Sequence, residues 1–356
     1  MSGQPKPHLP LFRRILNRVV LLYLVLMLLY FLSRFIIQDR LWFVSLINTF
    51  APAVFIPLPI LLLLALIVRS RRAALYLLPI LIWMALWFGP RFLPKNRGAS
   101  VSNIPSLRIM TNNISHFNQS PERVPALVLT QNPDVIFLQE VQLTDMQQAL
   151  SALESAYPYQ TRQYDDMRTS MYSAVNITYS RFPFVISEEA NPHIPEIPSI
   201  YRNIIEWKGQ RIALYNIHLL SPGGAGRFTR FANNYFVRYA MGFNDTIRNS
   251  QIEALLAYLA TEPYPYIAAG DFNTSDFSMT YTHLTTYMGD SFSEAGIGLG
   301  SSWPTARALG LPAFIPPFIR IDYIWHSAGL QAVNAWKGDY TGSDHLPMLA
   351  DLALTP

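Results

Sequence analysis

The sequence predicts an α/β protein in which N-terminal transmembrane helices precede one globular domain of alternating strands and helices. Two observations carry this. The first is where the apolar residues lie: of 356 residues 51% are hydrophobic and 14% charged, and the apolar excess falls before residue 95. That balance is too oily for an ordinary soluble chain, yet it leaves room for a normal domain of about 250 residues. The second is a series of short apolar runs in the remainder, each interrupted or ended by a polar residue and alternating with capped helical segments. The formal net charge of +4 comes partly from arginines beside the apolar segments and is no argument for nucleic acid. With no cysteine in the chain, disulfides and thiolate metal sites are excluded and the redox compartment is left open.

Three hydrophobic stretches open the chain: Ile15 to Ile37, Val54 to Val68 with Leu41 to Phe50 leading into it, and Ala73 to Phe88. The first is long enough to cross a bilayer, while the others sit near the lower limit of about 17 to 20 residues and need their flanks. A cleaved signal peptide would be shorter and would carry a small-residue cleavage site, which the first stretch lacks. A buried helical hairpin is the alternative for the second and third. Lys6, Arg13, Arg14 and Arg18 before the first span, and Arg69, Arg71 and Arg72 between the second and third, belong on the cytoplasmic side. Three spans then export everything after Phe88, although Arg91, Lys95 and Arg97 weigh against this. The expectation is an integral cell-membrane protein: residues 1–93 as anchor, 94–105 as a linker rich in Pro, Gly, Ser and Asn, and 106–356 as an extracytoplasmic catalytic domain. The bilayer is its expected partner, and nothing in the sequence points to a protein partner.

The globular part begins with a strand at Leu107 to Asn113. Ser120-Pro121-Glu122 caps a helix to about Gln131, with Pro121 suited to its first turn. Asp134 to Glu140 is a nearly continuous apolar run ending in a carboxylate, as buried strands are. Thr144-Asp145 caps a helix to about Ala156. Ser173 to Ser180, Tyr201 to Trp207 and, after a Lys208-Gly209 turn, Arg211 to Leu219 are read as strands in hairpin succession. Gly226 to Leu259 is the longest helical region, and a strand rich in Tyr, Ile and Ala then delivers Gly270-Asp271-Phe272-Asn273. Period-2 spacing points Asp271 and Asn273 the same way. Arg320 to His326 and Leu346 to Leu352 close the domain as strands.

The polar strand ends, taken together, are Asn113, Glu140, His218, Asp271 with Asn273, Asp322, and the triplet Ser343-Asp344-His345. A polar side chain in such a place must be hydrogen-bonded or exposed in a cleft. Singly, each is more readily a satisfied strand residue; their order is what carries information. Thr111-Asn112-Asn113, Leu138-Gln139-Glu140, Asn216-Ile217-His218-Leu219, Gly270-Asp271-Phe272-Asn273, Ile321-Asp322-Tyr323 and Ser343-Asp344-His345 resemble the successive motifs of the endonuclease/exonuclease/phosphatase superfamily, over roughly residues 106 to 354. That superfamily has the DNase I-like fold and includes abasic-site endonucleases, inositol polyphosphate 5-phosphatases and neutral sphingomyelinases. The resemblance implies a four-layer α/β/β/α sandwich. Asn112 departs from the pattern, where an aromatic or aliphatic residue usually precedes the motif Asn, and this puts the packing there in question.

Hydrolysing a phosphoester needs charge neutralisation, a base for water and donors for the developing charge. Glu140 with Asn113 offers hard oxygen ligands suited to Mg²⁺ or Mn²⁺, and Asp344 is a further metal-side carboxylate. Asp271 is the expected base, Asn273 orients water or phosphate, His345 held by Asp322 binds or protonates a phosphate oxygen, and His218 is a second donor. For substrate, Arg227, Arg230 and Arg238 lie among Phe228, Phe231, Tyr235, Phe236 and Tyr239, either as a lipid or nucleotide docking surface or as the core side of an amphipathic helix. Leu309 to Phe318 is an apolar, Pro-rich loop which, if exposed, favours a lipid beside the site. The leading expectation is a membrane-anchored metal-dependent hydrolase of a lipid-linked phosphate. The alternatives are an exported nuclease, for which scattered arginines among many acids are a poor surface, and a catalytically silent membrane-tethered binding module, for which every motif position would not need a competent residue.

Overall fold

In the computed structural model, residues 8–95, 104–115, 118, 120–164, 174–190, 194–195, 200–223, 235–305, 312 and 314–355 are described. The chain divides into two compact units, Met1–Leu93 with Phe277–Met279, and Pro94–Asp276 with Thr280–Pro356. Most of the expected linker lies outside the described residues.

The first unit holds α1 (His8–Ile36), α2 (Trp42–Thr49), α3 (Pro57–Ile67) and α4 (Arg71–Phe88). Leu11–Ile36 and Arg71–Phe92, with mean hydropathies of 2.4 and 1.7, are long and apolar enough to cross a membrane. The expected middle span is instead broken, because Trp42–Thr49 and Ala51–Ile67 meet at 76°. Pro52 lies two residues after that break, and Pro57 and Pro59 open α3; proline withholds the N–H that would carry a helix through. Among the described residues the unit therefore has two such helices, or three if the bent pair is one span. Leu16, Val20 and Met27 of α1 pack with Leu58, Leu61, Leu77 and Ile80, while Leu22, Leu29, Leu63 and Leu86 are exposed. Ser70 caps α4 by accepting from the Ala73 amide at 3.3 Å, and its hydroxyl donates to Asn17 Oδ1 at 2.7 Å.

The second unit contains β1 (Leu107–Asn113), α5 (Arg123–Gln131), β2 (Val135–Gln142), α6 (Leu143–Leu150), β3 (Tyr159–Tyr164), β4 (Ala174–Ser180), β5 (Phe184–Ala190), β6 (Ile200–Trp207), β7 (Gln210–His218), α7 (Tyr235–Met241), α8 (Thr246–Leu259), β8 (Tyr266–Asp271), α9 (Met279–Leu284), β9 (Gly289–Asp290), α10 (Ser291–Ala295), β10 (Asp322–His326), β11 (Leu330–Lys337) and β12 (Met348–Leu354). They form two six-stranded sheets, in the orders β11-β12-β1-β2-β4-β3 and β5-β6-β7-β8-β10-β9. Ile109, Val135 and Phe137 of one sheet meet Ile205, Leu214, Ile267 and Ile324 of the other in a shared core. Outside the first sheet, Ile136 and Leu138 pack on Val124, Val128 and Met146 of α5 and α6. Outside the second, Tyr215, Ile217 and Ala268 pack on Ile252, Leu255 and Leu256 of α8. Alternate strand residues thus serve different layers, and the four-layer α/β/β/α sandwich is the observed fold.

Several element boundaries differ from expectation. The predicted hairpin series spans both sheets: β6 and β7 form a hairpin across Lys208 and Gly209, whose φ values are 51° and 75°, but β4 pairs with β2 and β3. Helix α6 begins at Leu143, so Thr144 and Asp145 lie inside its first turn instead of capping it. The long helical region is two helices separated at Gly242 to Asp245, where the Asn244 amide donates to Pro222 O and the Asn244 side chain accepts from the Thr246 amide; residues 226–234 lie outside the described residues.

Candidate active site

Parallel neighbours finish on the same side of a sheet. β1 runs parallel to β2, with Asn113 opposite Gln139, and β7 runs parallel to β8, with His218 opposite Asp271. β10, antiparallel to β8, sets Asp322 opposite Asp271. β12, antiparallel to β1 with Met348 opposite Thr111, returns the 343–345 loop to the same rim. Local backbone then aims the side chains. Glu140 has φ 56°, where the β2–β4 register shifts between Leu138 and Val141, and such a bulge re-aims the side chain. Asn273 has φ 48°, a left-handed conformation that Asn tolerates better than most residues. Gly270 has φ 148°, and a Cβ there would stand 1.7 Å from the Ile217 carbonyl oxygen; only glycine lets β8 approach β7 so closely just before Asp271.

Asp271 is the hub. It is 1% exposed. Its Oδ2 accepts from Asn113 Nδ2 at 3.1 Å and Asn273 Nδ2 at 3.2 Å, and its Oδ1 from the Asn273 amide at 2.8 Å. His218 Nε2 and His345 Nε2 each stand 3.8 Å from Oδ2. His345 Nδ1 lies 2.9 Å from Asp322 Oδ2. His218 Nε2 is also 3.7 Å from Glu140 Oε1, which accepts from Asn113 Nδ2 at 3.0 Å. Seven of the eight expected residues are thereby joined in one set of contacts. Asp344 stands beside it, its Oδ2 accepting the Trp303 indole N–H at 3.3 Å and its charge acting on His345.

Burial pushes the Asp271 carboxyl up to about 7; His345 and His218 pull it down, Asp322 pushes it up, and the Asn273 amide pulls it down. A carboxylate with that value is poised to exchange a proton near neutrality. Burial alone would lower the His345 pKa, but Asp322, Asp271 and Asp344 outweigh it and hold the imidazole proton well above the ordinary range. Asp322 accepts from Nδ1–H, so the second proton of the imidazolium sits on Nε2, the nitrogen turned toward Asp271.

Asn113 is turned differently from the oxygen ligand expected. Its Oδ1 accepts from the Ser115 amide at 3.0 Å, which settles the carboxamide's orientation, and its nitrogen faces Glu140 and Asp271. As placed, it is a donor bridging two carboxylates. Single ligand atoms of Asp271, Asp322 and His345 lie within 4.8 Å of one another, a spacing that could hold a metal ion. Much of that closeness is the His345–Asp322 hydrogen bond, and Glu140 and Asp344 lie outside that pairing. The donor set is carboxylate oxygen and imidazole, which suits a hard divalent cation.

Other motif residues, given no role of their own by the sequence, act through hydrogen bonds inside the site. Ser343 Oγ donates to Asn113 O at 2.7 Å and accepts from the His345 amide at 3.0 Å. Gln139 Nε2 donates to Asn216 Oδ1 at 2.7 Å, and Asn216 Nδ2 to the Leu138 and Ile177 carbonyls, so these motif polars tie the two sheets together. Asn112 is buried, with Nδ2 on Thr341 Oγ1 at 3.1 Å and no partner for Oδ1 among the described residues. Of the aromatic segment, Arg227, Phe228, Arg230 and Phe231 lie outside the described residues, as do the side chains of Tyr235 and Phe236. Tyr239 is buried against Phe243 and Trp303, with centroids at 5.9 and 6.1 Å, as the amphipathic-core reading expects. In the Pro-rich loop Phe314 is 84% exposed.

Residues 110–345 match the Endonuclease/Exonuclease/phosphatase family, and the chain belongs to it. Its solved structural neighbours include an endonuclease/exonuclease/phosphatase from Beutenbergia cavernae, with TM-score 0.54 and 20% identity over 70% of this chain and 72% of that one. A second, from Bacteroides vulgatus, has TM-score 0.53 and 18% identity over 70% and 99% of the two chains. TDP2 from C. elegans has TM-score 0.53 and 18% identity over 70% and 76%. At these identities the likeness is one of fold. No curated protein matches the chain.

Proposed function

We propose that the protein is a membrane-anchored, divalent-metal-dependent phosphoesterase that hydrolyses a lipid-linked phosphate, diester or monoester, by attack of a water activated at Asp271. The observation that carries this is the convergence on one buried carboxylate of Asn113, Asn273, His218 and the Asp322-held His345. Asp271 takes the proton of the attacking water. Asn273 and Asn113 hold its carboxylate in line, and His345 and His218 donate to phosphate oxygens as charge develops. Glu140 and Asp344 would hold Mg²⁺ or Mn²⁺, whose chemistry there is to neutralise phosphate charge. The attack is direct, so no residue becomes covalently modified.

The lipid preference is supported by the two long apolar helices and by the outward Phe314 in an apolar loop that leads into the Asp322 motif. With the bent pair counted as a third span, the basic residues before the first span and those at Arg69, Arg71 and Arg72 support an extracytoplasmic domain. The test is Mg²⁺-dependent release of phosphate or headgroup by the detergent-solubilised full chain, across phospholipids, lipid pyrophosphates, inositol phosphates and plasmid DNA, with Asp271→Ala as control. Release from lipids, lost in Asp271→Ala and on chelation, is expected. Cleavage of plasmid DNA alone would establish a nuclease, and silence across the panel would favour the binding module.

A further inference from the structure

Arg248 and Gln251 sit one turn apart on the same face of α8, and each is 1% exposed. Side chains of this length and polarity are rarely buried so completely unless they are bonded to something. Both reach backbone groups just beyond strands that end in site residues. Arg248 Nη1 donates to the Asn273 carbonyl at 2.7 Å, while Nη2 donates to Asn249 Oδ1 at 3.0 Å and Asp245 Oδ2 at 3.3 Å. Gln251 Oε1 accepts from the Leu220 amide at 2.8 Å, and its Nε2 donates to the Pro195 carbonyl at 2.8 Å. Asn273 is two residues past Asp271, and Leu220 two past His218. One helix face therefore ties down the exits of β7 and β8, the parallel pair that supplies the base and one of its histidines.

We propose that Arg248 and Gln251 are positioning residues, a brace on α8 that holds Asn273 in its left-handed conformation and His218 at its strand end so that both stay directed at Asp271. This rests on the reading of Asp271 and Asn273 as the water-activating pair. The left-handed φ of Asn273, though tolerated by Asn, is less favourable than the right-handed region and is kept where the surroundings hold it. A guanidinium on its carbonyl is a charge-assisted bond, among the stronger restraints available to a loop. Were that carbonyl released, the peptide could relax out of the left-handed region. Asn273 would then withdraw Nδ2 from Asp271 Oδ2 and from the Leu219 carbonyl, which it meets at 2.8 Å, and its amide from Asp271 Oδ1. Glu140 and Asp344 stand on other strand ends and loops, so cation binding should not respond. A side chain that merely fills the core would affect stability and metal binding along with rate.

The test uses the full chain in detergent with Arg248→Met, Arg248→Lys and Gln251→Met. Amide hydrogen exchange is followed in peptides covering 219–222 and 271–275, Mn²⁺ binding by electron paramagnetic resonance, and kcat and KM on whichever panel substrate is turned over. Arg248→Met should speed exchange at 271–275 and lower kcat about 10- to 100-fold, the scale of loss for a slightly displaced reacting group, with KM and Mn²⁺ affinity unchanged. Arg248→Lys should recover part of both effects, and Gln251→Met should speed exchange chiefly at 219–222. If Arg248→Met loosens the whole domain, Arg248→Lys is read in its place. Unchanged exchange at both segments would overturn the brace, and so would faster exchange with an unaltered kcat. A wild type that hydrolyses nothing would instead sink the phosphoesterase reading, with the exchange pattern still deciding whether the brace holds the two loops.

Discussion

Replacing Asp322 by Asn isolates a charge while sparing the packing. Asp322 is fully buried, its Oδ2 lies 2.9 Å from His345 Nδ1, and its amide is held by Ser302 Oγ at 3.3 Å. Asparagine keeps the volume, the backbone bond and a hydrogen-bonding group beside Nδ1, so the fold should survive. What disappears is the first of the three carboxylates that outweigh burial and keep His345 protonated. The His345 pKa should then fall, because the buried carboxylate that most favours its charged form is gone. If imidazolium is the donor to phosphate, the alkaline limb of the kcat/KM profile moves to lower pH, and the plateau rate drops by about 10²- to 10⁴-fold, the usual worth of a positioned proton donor. The assay is a pH–rate profile on the best panel substrate, wild type against Asp322→Asn, with circular dichroism to check folding. An alkaline limb that stays in place with a rate within about threefold of wild type would refute the role given to the pair.

Asp271→Asn should be inactive yet no less stable in alkaline solution. The folded pKa of about 7 lies above the ordinary carboxylate value, so the stability it confers is present below about pH 4 and is lost as pH rises to about 7; with chelator at pH 8 the variant should melt at or above wild type, and a clearly lower Tm would contradict the raised pKa. His326 offers the opposite sign of test. Burial lowers its pKa, but the 3.0 Å contact to Glu294 more than offsets this and raises it, so its contribution is fully present below about pH 6.5 and fades as pH rises through the folded value. Glu294→Gln should destabilise by only about 1 kcal/mol at pH 6, since that carboxylate is partly solvated, and by nothing measurable at pH 9; thermal melts that differ equally at both pH values would rule this out. Gly270→Ala would set a Cβ 1.7 Å from a carbonyl oxygen at a φ that disfavours it, and should cost more than about 3 kcal/mol or prevent folding; a soluble variant with wild-type Tm would show that β7 and β8 can part without penalty.

Sequence alone marked the eight interior strands and the candidate site residues at their ends, for one physical reason. A strand buried on both faces must be apolar, so a carboxylate, carboxamide or imidazole that ends it stands out. The four strands that escaped notice, β3, β5, β9 and β11, are the edges of the two sheets. An edge strand is partly solvated, and Tyr159–Tyr164, with Gln160, Thr161, Arg162 and Gln163 between its tyrosines, bears no apolar pattern to detect. What only the tertiary structure decided were relations between distant segments. The parallel register of β7 and β8 brings His218 to Asp271, and the packing of the two sheets brings Asn113 there; the Ser115 amide turns Asn113 into a donor; Trp303 meets Asp344 across 41 positions. Arg248 and Gln251 read as ordinary polar helix residues until packing buries them. Hydrophobic periodicity records which side of an element is dry, whereas a hydrogen bond between remote loops depends on distances that only the folded chain defines.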